Sequence, residues 1–145
     1  MRGVTLCVLA LSLMMTVGCG GARRFEDAGT YQAPKEALSA AAALSTATEL
    51  LTGLPDGAGK DLKVTAKGLS GTVKRTNLSR AQHPDFEWTQ VKSIHISKHK
   101  RSGSMMVDFL PESGDVRHRL LRLEMASVED ARKLADAVMS LRDAK

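Results

Sequence analysis

Apolar and polar positions divide the chain into segments of different period. Val4 to Val17 is an almost unbroken apolar run of 14 residues behind a short positive start at Met1-Arg2. That is the length of the apolar region of an export signal and too short for a membrane-crossing helix, which needs ~20 residues. Residues 1–18 are therefore set aside as a leader; the other reading, a buried N-terminal helix, suits the run less well because it has no amphipathic stripe. Gly20 to Pro34 has no apolar period and reads as a flexible tether. Lys35 to Leu51 is rich in Ala and Leu, with Gly53 and Pro55 as a stop, and predicts a helix whose stripe is Leu44, Ala47, Leu51 and Leu54.

From Asp61 the period becomes two. Leu62 to Ala66 alternates, and Thr72 to Thr76 marks a second short strand after Gly68 and Gly71. Gln82 to Glu87, containing Pro84, reads as loop. Val91 to Lys98, Met105 to Leu110 and Val116 to Met125 alternate again, separated by turns at Lys100–Gly103 and Pro111–Asp115. The chain then returns to the helical period. Ser127 is an N-cap with an acid three residues on, and Val128, Ala131, Leu134, Ala135, Val138 and Leu141 make a stripe to about Arg142. Glu129 and Asp130 in the first turn and Arg142 in the last suit the helix dipole.

These elements predict an α+β fold: a small antiparallel β meander or partly open barrel, packed by the C-terminal amphipathic helix, with an Ala-rich N-terminal helix. The expected organisation is leader 1–18, Cys19 and tether 19–34, Ala-rich helix 35–54, and a sheet-plus-helix domain over 61–145. Over residues 61–142 the pattern resembles pleckstrin-homology-like or GRAM-like folds. The resemblance is carried by Glu87-Trp88-Thr89-Gln90-Val91-Lys92-Ser93-Ile94, the strands around Val107 and Leu121, and the final helix. It implies a Trp-led entry into a strand and a helix plugging the open end of a barrel. Five strand candidates are visible, against seven in that family.

A length of 145 residues allows one domain, and 43% hydrophobic with 26% charged residues is a globular mix. Three Phe, one Tyr and one Trp are too few to supply both a core and a base-stacking platform, and no nucleic-acid motif is present. The two cysteines bear on the leader. Thr16-Val17-Gly18-Cys19-Gly20 resembles the lipobox of bacterial lipoproteins, with Thr16 where Leu is usual. The resemblance implies cleavage after Gly18 and a diacylglyceryl thioether on Cys19. Cys7 would leave with the leader, so no disulfide forms within the mature chain under this reading. Ordinary signal-peptidase cleavage after Ala22 is the alternative. Gly20 lacks the Asp that resembles an inner-membrane retention signal, which favours the outer membrane.

The candidate chemistry is thin. Gly57-Ala58-Gly59-Lys60 has a superficial likeness to a phosphate loop, but Leu54 and Asp61 stand where that motif needs Gly and Ser or Thr. His95 and His99 lie four apart on a strand, ~13 Å of chain, too far for one zinc. No metal or cofactor is implied. Ser97-x-x-Lys100 stands without its partner motifs. Asp108, Glu112 and Asp115 read as solvated carboxylates at a hairpin. Arg117 and Arg119 are placed on one strand face and Arg122 on the other.

The formal net charge is +5. Lys98, Lys100 and Arg101 at one turn are the candidate contact for a polyanion, an anionic lipid or a glycan; Arg23-Arg24 reads as solvated linker charge. The expected function is a non-catalytic binding or structural module of the cell envelope, held at the membrane by Cys19, with an envelope protein or anionic polymer as partner. The other readings are an envelope hydrolase using His83 or His118 with a nearby acid, and an anionic lipid- or glycan-binding module.

Overall fold

A computed structural model describes residues 24–111 and 116–144. The chain runs β1 (Phe25–Tyr31), α1 (Ala40–Thr52), β2 (Asp61–Val64), β3 (Gly68–Thr72), β4 (Asp85–Glu87), β5 (Ser93–His99), β6 (Met105–Leu110), β7 (Leu121–Met125) and α2 (Val128–Asp143), with single 3-10 turns at Pro55–Gly57, Trp88–Gln90 and Val116–His118. The fold is α+β. Two antiparallel sheets, one ordered β1-β5-β6-β7 and one β2-β3-β4, do not close into a barrel.

Both helices begin on a serine. Ser127 Oγ accepts from the Asp130 amide at 3.1 Å, and Ser39 Oγ accepts from the Ala42 amide at 3.3 Å. Each satisfies a donor that the first turn leaves without a partner. Helix α2 buries Ala131, Leu134, Ala135, Val138 and Leu141 of the expected stripe, leaves Val128 at its first turn exposed, and lies across β1, β6 and β7. Helix α1 buries Ala43, Ala47 and Leu51 against α2 and β2. Its alanines allow close approach, and Leu44 stays half-buried rather than joining the stripe. Trp88, Phe86 and Phe109 meet edge to face, with centroids 5.8 and 6.1 Å apart, where the small sheet joins the large one. The Trp88 indole donates to the Thr65 carbonyl at 2.9 Å.

The structure departs from the expected elements at five places. The Ala-rich helix, expected over 35–54, spans Ala40–Thr52 because Ser39 caps it. Residues 25–31, expected within the tether, form an edge strand. Their alternation is masked by a bulge between Asp27 and Gly29, and by the polar residues an edge tolerates. The second strand of the small sheet is 68–72 rather than 72–76. Gly68 and Gly71 lie inside it because backbone passes close: a Cβ on Gly68 would stand 2.2 Å from the Phe86 carbonyl, and Gly71 has φ +110°. Asp85–Glu87, expected as loop, is a short strand just after Pro84 with only Phe86 facing in. Val116–His118 is a 3-10 turn, so the last strand starts at Leu121.

Gly59 explains the loop that looks like a phosphate cradle. A Cβ there would lie 1.7 Å from the Leu51 carbonyl oxygen, so this glycine is where the loop packs under the end of α1.

Candidate functional site

Strand β6 is buried along its whole length, so its alternation places side chains in two enclosed environments. Met105, Val107 and Phe109 enter the core shared with α2. Asp108 points to the opposite face and is fully buried there. A lone buried carboxylate is strongly disfavoured and needs a partner. Arg122, directly opposite on β7, supplies it: Nε donates to Oδ1 at 2.7 Å and Nη2 to Oδ2 at 2.8 Å. Arg119 brings a second guanidinium to 3.8 Å, and the Arg122 guanidinium lies 5.6 Å from the centre of the Phe25 ring.

The expected solvated role of Asp108 is therefore corrected, as is the division of the arginines. The residues before Leu121 turn in a 3-10 helix instead of continuing the strand, so Arg119 and Arg122 converge on one carboxylate. The only sequence signal for this pair was an acid among the apolar residues of β6 and an arginine among those of β7.

Strand pairing extends the polar row across the large sheet, from Thr30 through His95 and Asp108 to Arg122. A histidine beside a buried acid and a hydroxyl suggests a catalytic relay, but the hydrogen bonds run otherwise. Both Asp108 oxygens accept from Arg122, while His95 Nδ1 is 3.1 Å from Thr30 Oγ1 and 3.9 Å from Asp27. A base-orienting acid must itself hold the imidazole.

The outer edge of β7 is closed by one side chain. Gln82 Nε2 donates to the Arg122 carbonyl at 2.7 Å, and its Oε1 accepts from the Arg122 amide at 2.9 Å. The Gln82 backbone also pairs with Val73, so one residue links the two sheets. Beside it, Leu78, Arg80, Gln82, Arg119 and Arg122 line an open hollow of about 430 Å³.

The histidines proposed for hydrolysis do not share one place. His83 Nδ1 meets the Thr72 hydroxyl at 3.2 Å, and His118 lies in the turn before β7. Among the described residues no group of three or more His, Cys, Asp or Glu could hold a metal ion.

The basic turn is well ordered by its own bonds. Lys98 is the penultimate residue of β5, and Lys100 and Arg101 follow His99 on an exposed turn. The His99 amide donates to the Ser104 carbonyl and the Gly103 amide to the His99 carbonyl, both at 2.8 Å, with Gly103 at φ +75°. The structure adds a residue to the group: the Lys100 amide donates to the Arg24 carbonyl at 2.9 Å. Phe25 stacks at a tilt on His99 with centroids 5.2 Å apart, and Glu26 stands opposite Lys98.

Cys19, the leader, and Glu112 and Asp115 lie outside the described residues. No described helix is long and apolar enough to cross a membrane. The fold and site thus define a small α+β domain with a buried ion pair on one sheet face and a basic turn at one end. No family model matches the chain, and neither does any curated protein or solved structure.

Proposed function

We propose that the chain is an envelope lipoprotein whose α+β domain is a non-catalytic binding or structural module, held at a membrane by acylated Cys19. The observation that carries this reading is the apolar run Val4–Val17 ending in Val17-Gly18-Cys19, six residues ahead of the first strand. One acyl chain holds a protein only marginally, at ~0.8 kcal/mol per buried CH₂, and the two chains of a diacylglyceryl group make attachment stable. Over residues 61–142, where the likeness to pleckstrin-homology-like folds lies, the chain has six strands and a final helix packed on the sheet; the two open sheets, with β1 beside β5 rather than β2, depart from a sequential meander. The outer membrane is the favoured site, on the same residue after Cys19.

Cys19→Ala tests the anchor. The variant is expected to leave the membrane pellet after a salt wash, and the native chain to carry diacylglyceryl mass on residue 19. A Cys19→Ala protein that still pellets, or a native amino end without acyl mass, overturns the reading.

A further inference from the structure

We propose that the corner formed by Arg24, Lys98, Lys100 and Arg101 is a docking face for an anionic phospholipid bilayer, so that the domain stands on the membrane in one orientation. This rests on the acylation of Cys19 proposed above, and the structure adds a constraint that the sequence did not contain. A tether reaching to Pro34 would span roughly 50 Å, and a domain on it would point anywhere. Strand β1 instead begins at Phe25. Six residues from Cys19 to Phe25 reach at most roughly 20 Å, less than the diameter of a domain of this size, about 35 Å. The start of β1 is therefore held at the headgroups.

What lies beside the start of β1 is fixed by hydrogen bonds. The Lys100–Arg24 backbone bond and the Phe25–His99 pairing bring the β5–β6 turn to the same end of the sheet. Arg24, Lys98, Lys100 and Arg101 are all exposed there. The carboxylates nearest in register are Glu26, opposite Lys98, and Asp27, so positive charge is in excess. The two bonds closing the turn fix the backbone that carries Lys98, Lys100 and Arg101 before any surface is met. An anionic bilayer attracts such a group within about a Debye length, ~10 Å at 0.1 M salt, and a reach of at most roughly 20 Å keeps the group close enough to enter that layer. Strand β5 then runs away from the membrane, with the Trp88–Gln90 turn beyond its far end.

The test uses the full chain extracted from membranes with its lipid attached and reconstituted into phosphatidylcholine vesicles with or without 30% phosphatidylglycerol, an amount of the order that gives a strong negative surface potential. A fluorophore is placed at Ser102→Cys or, separately, Thr89→Cys, and quenched by headgroup-spin-labelled lipid. Ser93 and His99 are ~20 Å apart along β5, and the two probes lie beyond its opposite ends. Quenching in phosphatidylglycerol vesicles is expected to be several-fold stronger at 102 than at 89. The ratio should fall toward one in 0.5 M salt and in the variant K98E/K100E/R101E, whose exposed sites leave the fold intact by circular dichroism. Equal quenching at the two positions, with acyl mass confirmed on the same sample, overturns the docking face and leaves the anchor standing. A sample lacking acyl mass overturns the anchor reading, and the docking inference falls with it.

Discussion

Replacing Asp108 with asparagine keeps the shape of the side chain and removes its charge. Arg122, 17% exposed, then holds a guanidinium against a neutral amide, one of whose two polar atoms is a donor. Removing one partner of a buried ion pair costs about 3–5 kcal/mol. The residual exposure of Arg122 lets it recover some hydration, so the lower end, about 3 kcal/mol, applies here. A domain of this size has a stability of about 5–15 kcal/mol, and each kcal/mol moves Tm by about 4 °C. Asp108→Asn should therefore lower Tm by about 10–15 °C, read by circular dichroism and by urea denaturation with an unchanged m-value. The double variant Asp108→Leu with Arg122→Met is the sharper comparison. It replaces both charges with apolar volume, and Arg119, 36% exposed, can turn to water. It should come within about 2 kcal/mol of the parent. A loss under about 1 kcal/mol for Asp108→Asn, or a double variant no better than the single, would refute the picture of a desolvated pair.

Other perturbations follow from single contacts. Gly59→Ala puts a Cβ into the Leu51 carbonyl and should cost several kcal/mol, seen as insoluble expression or a Tm too low to measure. Gln82→Ala removes both bonds to the β7 edge and should cost about 1–2 kcal/mol, with faster amide exchange at Arg122. Ser127→Ala should cost about 1 kcal/mol through the lost cap of α2. A hydrogen bond from Lys133, with its charge, holds the Glu129 carboxyl below its ordinary value, and the same contact raises Lys133. The pair's contribution is present above the carboxylate's unfolded pKa and is lost as pH falls through the folded one; on the alkaline side it is lost as pH rises through the folded pKa of Lys133. Both groups are at the surface, so the Tm difference between parent and Lys133→Ala should be small at neutral pH and vanish in 0.5 M salt or at acid pH.

Helix α2, strands β5 and β6, the second half of the last strand and the α+β class were legible in the sequence because each has an uninterrupted period. Ser127 with its stripe to Leu141 needs no partner to declare itself. The pattern in β1 was hidden by a bulge and an exposed edge, and β3 by two glycines whose purpose is another strand's backbone. Such features depend on what lies across from them, and a linear pattern does not contain its neighbour. The same reason hid the Asp108–Arg122 pair: 14 residues apart, they meet only because β6 and β7 pair in one register. The basic turn was visible as Lys98, Lys100 and Arg101, but its place beside Arg24 was not. Residue type and spacing set the helices, the central strands and the charges; only the pairing of β1 with β5 decided which of those charges gather at the end of the sheet where β1 begins.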